Sequence, residues 1–85
     1  MSSISVEQCR AARAMLGWSQ GELAEASAVS KTTVVDFERG IRTPHRNNLG
    51  AIRRAFELAG ISFIPENGGG AGVRFEKPAT GPRDA

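Results

Sequence analysis

The sequence predicts a mostly α fold, four short helices followed by a short C-terminal β-hairpin, and three observations carry that expectation. Ser5, Ser19 and Ser30 each precede a stretch with helical apolar periodicity, where a serine oxygen accepts from the free N–H groups of a helix start. Gly17, Gly40 and Gly60 stand where those stretches and a later one run out, the place a left-handed C-terminal residue is wanted. Finally, "ISFI" (61–64) and "VRF" (73–75) flank the glycine-rich "PENGGGAG" and read as two strands around a long loop.

The first helix runs from Ser5 to Leu16, with Val6, Cys9, Arg13 and Leu16 on one stripe. An arginine in that stripe requires a partner. Gly17 ends the helix, Trp18 follows, and "SQGE" (19–22) is a capping box that opens the second helix and turns Leu23 and Ala24 inward. That helix reaches about Ala26, and "SAV" (27–29) leaves a turn of about three residues before Ser30, a helix-turn-helix rhythm.

"SKTTVVDFERG" (30–40) is ambiguous, because Thr32, Thr33, Val34 and Val35 favour a strand. A helix accounts for more. It gathers Val34, Phe37 and Glu38 inward and places Lys31, Thr32, Val35, Asp36 and Arg39 on the outer face, against a propensity penalty of at most about 0.7 kcal/mol per residue. After "IRTPH" a fourth helix is expected from about Asn47 to Ala59, with Leu49, Ile52, Ala55, Phe56 and Ala59 on one side and Arg53, Arg54 and Glu57 on the other. The stretch 76–85 is polar with two prolines and reads as a disordered tail, leaving one domain over 1–75 with its helix-turn-helix at about 19–40.

Composition narrows the function. A chain of 85 residues has a small core, and its single cysteine forms no disulfide framework or metal-ligand pair, which points to a reducing compartment and to support from a partner chain. With no secretory signal and no apolar run of membrane-spanning length, a cytoplasmic protein is expected. Eleven Lys and Arg against nine Asp and Glu hint only weakly at an anionic partner. No acid, base, nucleophile or metal cluster converges, so neither an enzyme nor a cofactor is expected. Cys9 reads as a small core filler, Trp18 as a core plug, His45 as a helix boundary, and "NGGGAG" as a flexible loop without the lysine of a phosphate cradle.

"RAARAMLGWSQGELAEASAVSKTTVVDFERGIRTP" (10–44) resembles the helix-turn-helix domain of the Cro/CI repressor superfamily, the XRE family. Arg13, Gly17, Ser19, Gln20, Leu23, Ala24, Val29, Ser30, Val34, Glu38 and Gly40 stand in register, and the likeness covers about residues 5–60. It implies an internal ion pair between Arg13 and Glu38, which the inward position of both charges requires independently. It also implies a recognition helix, about 30–39, in the major groove of double-stranded DNA. On its exposed face Lys31 can donate to guanine, Asp36 can accept from cytosine N4, and Thr32 and Val35 present methyls to thymine. Gln20, Thr33, Arg39, Arg42 and Arg46 are the expected phosphate contacts, with Arg10 a lesser one. Three positions set the chain apart. Ala28 stands where the family has a glycine, Val35 where a small polar residue is common, and Ile41 is an apolar residue expected to be exposed.

The reading that follows is a sequence-specific transcriptional regulator, a repressor that can govern its own promoter. Ile61, Phe63, Val73 and Phe75 form one apolar hairpin face, and two such hairpins either pair across a two-fold axis or pack together with the fourth helix to make a homodimer. A homodimer would read a palindrome with half-sites about 34 Å apart, and neutralising about eight phosphates gives a log–log salt slope of about −7. The alternative is a protein-interaction module on the same scaffold, an antitoxin or antiactivator with a toxin or activator as partner.

Overall fold

The computed structural model describes residues 4–77. It contains α1 (Val6–Leu16), α2 (Gln20–Ser27), α3 (Lys31–Glu38), α4 (Arg46–Leu58), β1 (Ile61–Ile64) and β2 (Gly72–Phe75). The mostly helical fold with a closing hairpin is thus as the sequence predicts. The fourth helix starts one residue earlier than expected because His45 takes the cap, its Nδ1 accepting from the Asn47 N–H at 3.0 Å, and it ends one residue earlier with Ala59 as its C-terminal cap. The expected tail over 76–85 lies outside the described residues except for Glu76 and Lys77, and the Glu76 N–H prolongs the hairpin ladder by donating to the Gly60 carbonyl at 2.7 Å.

Local chemistry starts and stops the helices. Ser5 and Ser19 both form complete capping boxes, with Gln8 and Glu22 reaching back to the cap N–H, and the Ser30 hydroxyl accepts from the Thr33 N–H. Gly17 and Gly40 close α1 and α3 at φ 69° and 74°. The β-branched run of α3 is helical because Val34 and Phe37 are buried, so packing outweighs local preference.

Ala28 ends α2 in the left-handed region at φ 58°, a conformation that crowds a Cβ. Ala28→Gly is therefore expected to stabilise the fold by about 0.5–1 kcal/mol, the relief of crowding exceeding the entropy gained by the unfolded chain. Scanning calorimetry should show the melting temperature rise by about 2–8 °C, and a fall would contradict a strained turn.

Ile4, Cys9, Ala12, Leu23, Val29, Val34, Phe37, Ile52, Ala55, Phe56, Ile61 and Phe63 make one buried cluster fed by all four helices and the hairpin. Phe56 is its aromatic centre, stacked on Trp18 at 5.6 Å between centroids and met edge-on by Phe63 at 5.9 Å. β1 and β2 pair antiparallel, Ile61 opposite Phe75 and Phe63 opposite Val73. Their apolar face turns into the protomer: Ile61 and Phe63 are buried, and Val73 and Phe75 pack half-buried on the same core. The four residues expected between two copies are thus largely used within one chain. The hairpin face alone cannot say which apolar surface covers it, and here α1 and α4 do.

Arg53 differs from its sequence reading, and Gln8 has a role that the sequence reading did not assign. Arg53, expected on the outer side of the fourth helix, lays its guanidinium over the Phe63 ring at 5.4 Å and bonds Glu57 at 2.9 Å. Gln8 is buried, and its amide donates to the carbonyls of Gly72 at 3.0 Å and Ile64 at 3.3 Å. That side chain ties the start of α1 to the mouth of the hairpin.

Candidate nucleic-acid interface

Three helices meet at one carboxylate. Glu38, the last residue of α3, accepts from Arg13 Nε at 2.8 Å and Nη2 at 2.7 Å, from the Gln20 amide at 3.0 Å and from the Cys9 thiol at 3.1 Å. Arg13 Nη1 also donates to the Trp18 carbonyl at 3.0 Å, so the guanidinium spans the turn between α1 and α2. Burial alone would push the Glu38 carboxyl up; the bonds from Arg13, Gln20 and Cys9, with the charge of Arg13, outweigh it and hold the group below the usual carboxylate range. The same bond holds the Arg13 guanidinium above its usual range against its own partial burial. The Cys9 thiol is pushed well up by burial and then by its bond to Glu38, so it stays protonated and donates.

This network fixes α3 at its C-terminal end, while the Ser30 cap and the buried Val34 and Phe37 fix the rest. What remains outside is the face assigned to bases. Lys31 and Thr32 are exposed, and Val35 and Asp36 are half-buried on the same side. Thr33 is half-buried too, and its hydroxyl is within 2.8 Å of the Ser30 hydroxyl, so it supports the cap before it can meet a phosphate. Beyond the helix, Arg39, Arg42 and Arg46 are all exposed, the last at the start of α4. With Lys31 they place four cations along α3 and the chain that follows it.

Gln20 differs most from its assignment. It sits at the first turn of α2, but its amide is drawn to Glu38, leaving one amide hydrogen and the backbone N–H groups of that turn for an anion. The sequence holds no sign of this, since a glutamine after a cap serves either role. Gln8 was missed although "SVEQ" (5–8) carries a capping-box spacing, because its other partners lie 56 and 64 residues away.

A short capped helix held across a three-residue turn by a second capped helix, with cations beyond its C-terminal end, has the geometry of a DNA-binding helix-turn-helix domain. The family model described as helix-turn-helix matches residues 10–61, and the chain belongs to that family as a Cro/CI-type (XRE) DNA-binding transcription regulator. A search of the curated proteins returns no match. Among the described residues, no helix is long and apolar enough to cross a membrane.

Proposed function

We propose that the protein is a repressor that occupies an operator as a homodimer, with α3 in the major groove, and that the operator includes its own promoter. The observation that carries this is the exposed face of α3, Lys31, Thr32, Val35 and Asp36, on a helix whose opposite face and C-terminal end are anchored in the core. Four side chains specify only a few base pairs, too little for one site in a genome, which is why a second copy and a palindrome belong to the proposal. Gln20, Thr33, Arg39, Arg42 and Arg46 supply the phosphate contacts. The dimer forms through the hairpin, with Val73 and Phe75 at the seam and Ile61 and Phe63 supporting them from the core.

Fluorescence anisotropy on the upstream DNA, across a salt series and against a scrambled duplex, tests this. Preference for the upstream duplex with a slope of about −7 is the expected result, and equal weak binding to both would remove autoregulation. Sedimentation that shows only a monomer at micromolar concentration, with and without DNA, would remove the dimer. Lys31→Ala should weaken binding by about 1–3 kcal/mol and relax the preference for guanine at one position, read by competition with substituted duplexes.

Asp36 on the reading face and the small net charge favour a second reading, in which the same face meets a protein such as a toxin or an activator. Retention of protein binding by a Lys31→Ala, Arg39→Ala variant that no longer binds DNA would separate the two.

A further inference from the structure

Among the described residues, two large apolar side chains are strongly exposed, Leu58 at 83 % and Ile41 at 63 %. Ile41 is not on a loose segment. Its N–H donates to the Asp36 carbonyl at 3.0 Å, the preceding Gly40 donates to the Phe37 carbonyl at 3.0 Å, and Pro44 three residues on is buried. The side chain is therefore held out from the end of α3, with exposed Arg39, Arg42 and Arg46 around it in the chain.

An isoleucine set among cations fits a partner whose surface alternates negative charge with apolar patches. A second copy meeting it about a two-fold axis would set these arginines against their own equivalents. Duplex DNA has the required alternation, because the C–H faces of deoxyribose lie between successive phosphates. The placement agrees. A recognition helix meets base edges with its N-terminal residues, so with α3 seated in the major groove its C-terminal end, and the chain that leaves it, lie toward the sugar–phosphate backbone.

We infer that Ile41 packs on the deoxyribose wall of the adjoining minor groove, an apolar DNA contact between the phosphate contacts of Arg39 and Arg42. It rests on the DNA-binding reading and adds a salt-independent share of affinity. It also favours flexible steps at the edge of each half-site, where the ridge can yield to the side chain.

The test uses the full chain and a duplex selected from a random library by the wild-type protein. Hydroxyl-radical footprinting reads attack on deoxyribose hydrogens directly, and anisotropy across salt reads the charge contribution. Ile41→Ala should bind about five- to tenfold more weakly with an unchanged salt slope, and should lose protection only at sugars flanking the half-site. Arg42→Ala should instead reduce the slope by about 0.9 per site. Ile41→Val should stay within about twofold of wild type, and neither Ile41 variant should change the melting temperature, because the residue is exposed. The inference is overturned if Ile41→Ala binds within twofold, if the flanking protection persists, or if lost affinity is matched by lost self-association without DNA. Should the wild-type protein protect no duplex at all, the DNA reading falls first and the contact with it.

Discussion

Replacing Arg13 by methionine should destabilise the fold by about 3–5 kcal/mol at neutral pH, and should reverse the way Glu38 links stability to pH. Glu38 has a side chain only 2 % exposed, while Arg13 retains 20 %, so the carboxylate is the partner that cannot turn to water. In the wild type its proton affinity is lowered on folding, so the contribution is complete above the unfolded carboxylate range of about 4.3 and fades as pH falls toward the folded value. Without Arg13, the Gln20 amide and Cys9 thiol remain as donors, burial dominates, and the carboxyl is raised instead. A raised acid costs stability as pH climbs through its folded value. Urea unfolding at pH 4.5 and 7.5 should therefore show a gap between wild type and Arg13→Met that is wider at 7.5. Pairing Arg13→Met with Glu38→Gln should abolish that pH dependence, since no charge is left to bury. A gap that is equal at both pH values and below about 1 kcal/mol would mean the pair does not anchor α3.

That pair was also the part of the site most legible in the sequence, and the reason is physical. Two opposite charges on inward stripes of separate helices have few ways to be satisfied, so Arg13 and Glu38 nominate each other without coordinates. The helix starts were legible for a similar reason: a serine cap and its partner lie three residues apart, and no distant residue is needed to recognise them. The rest depended on distance. Gln8 reaches carbonyls 56 and 64 residues away, and a capping spacing, which uses the amide oxygen, does not reveal where the two amide hydrogens go. Arg53 lies on the solvent side of α4 by periodicity, yet a long stem let its head fold over Phe63. The hairpin's apolar face was visible as a face, but not its cover, because α1, α4 and a second copy are equivalent to a pattern of period two. On α3 the exposed positions followed from the buried ones, whereas which bases they prefer depends on a duplex the chain alone does not contain.

Phe56→Ala should remove most of the stability of the domain and, with it, DNA binding by a residue that belongs to no part of the interface. The ring is fully buried, and its loss leaves a cavity beneath Trp18 and Phe63, for which about 3–5 kcal/mol is the expected cost. A domain of 85 residues has about 4–13 kcal/mol to lose, so the variant should be marginal at 25 °C and unfolded some tens of degrees below the wild type's melting point. The effect reaches the interface through geometry. Trp18 sits in the turn whose carbonyl holds Arg13, and Arg13 holds the end of α3, so loosening the aromatic stack releases α3 from its core side, the side opposite the face proposed to read DNA. Phe56→Leu, which keeps most of the volume, should cost less than half as much and retain binding. Circular dichroism at 222 nm with urea gives both values, and the lone tryptophan reports the stack itself through its emission. A duplex that the wild-type protein binds, at a hundred times its dissociation constant, should restore about 2.7 kcal/mol to Phe56→Ala, because DNA would bind only the folded form. If Phe56→Ala instead folded within about 1 kcal/mol of wild type, Trp18 and Phe63 would have closed the cavity without it. The path from the aromatic centre to Arg13 would then carry no weight in positioning α3.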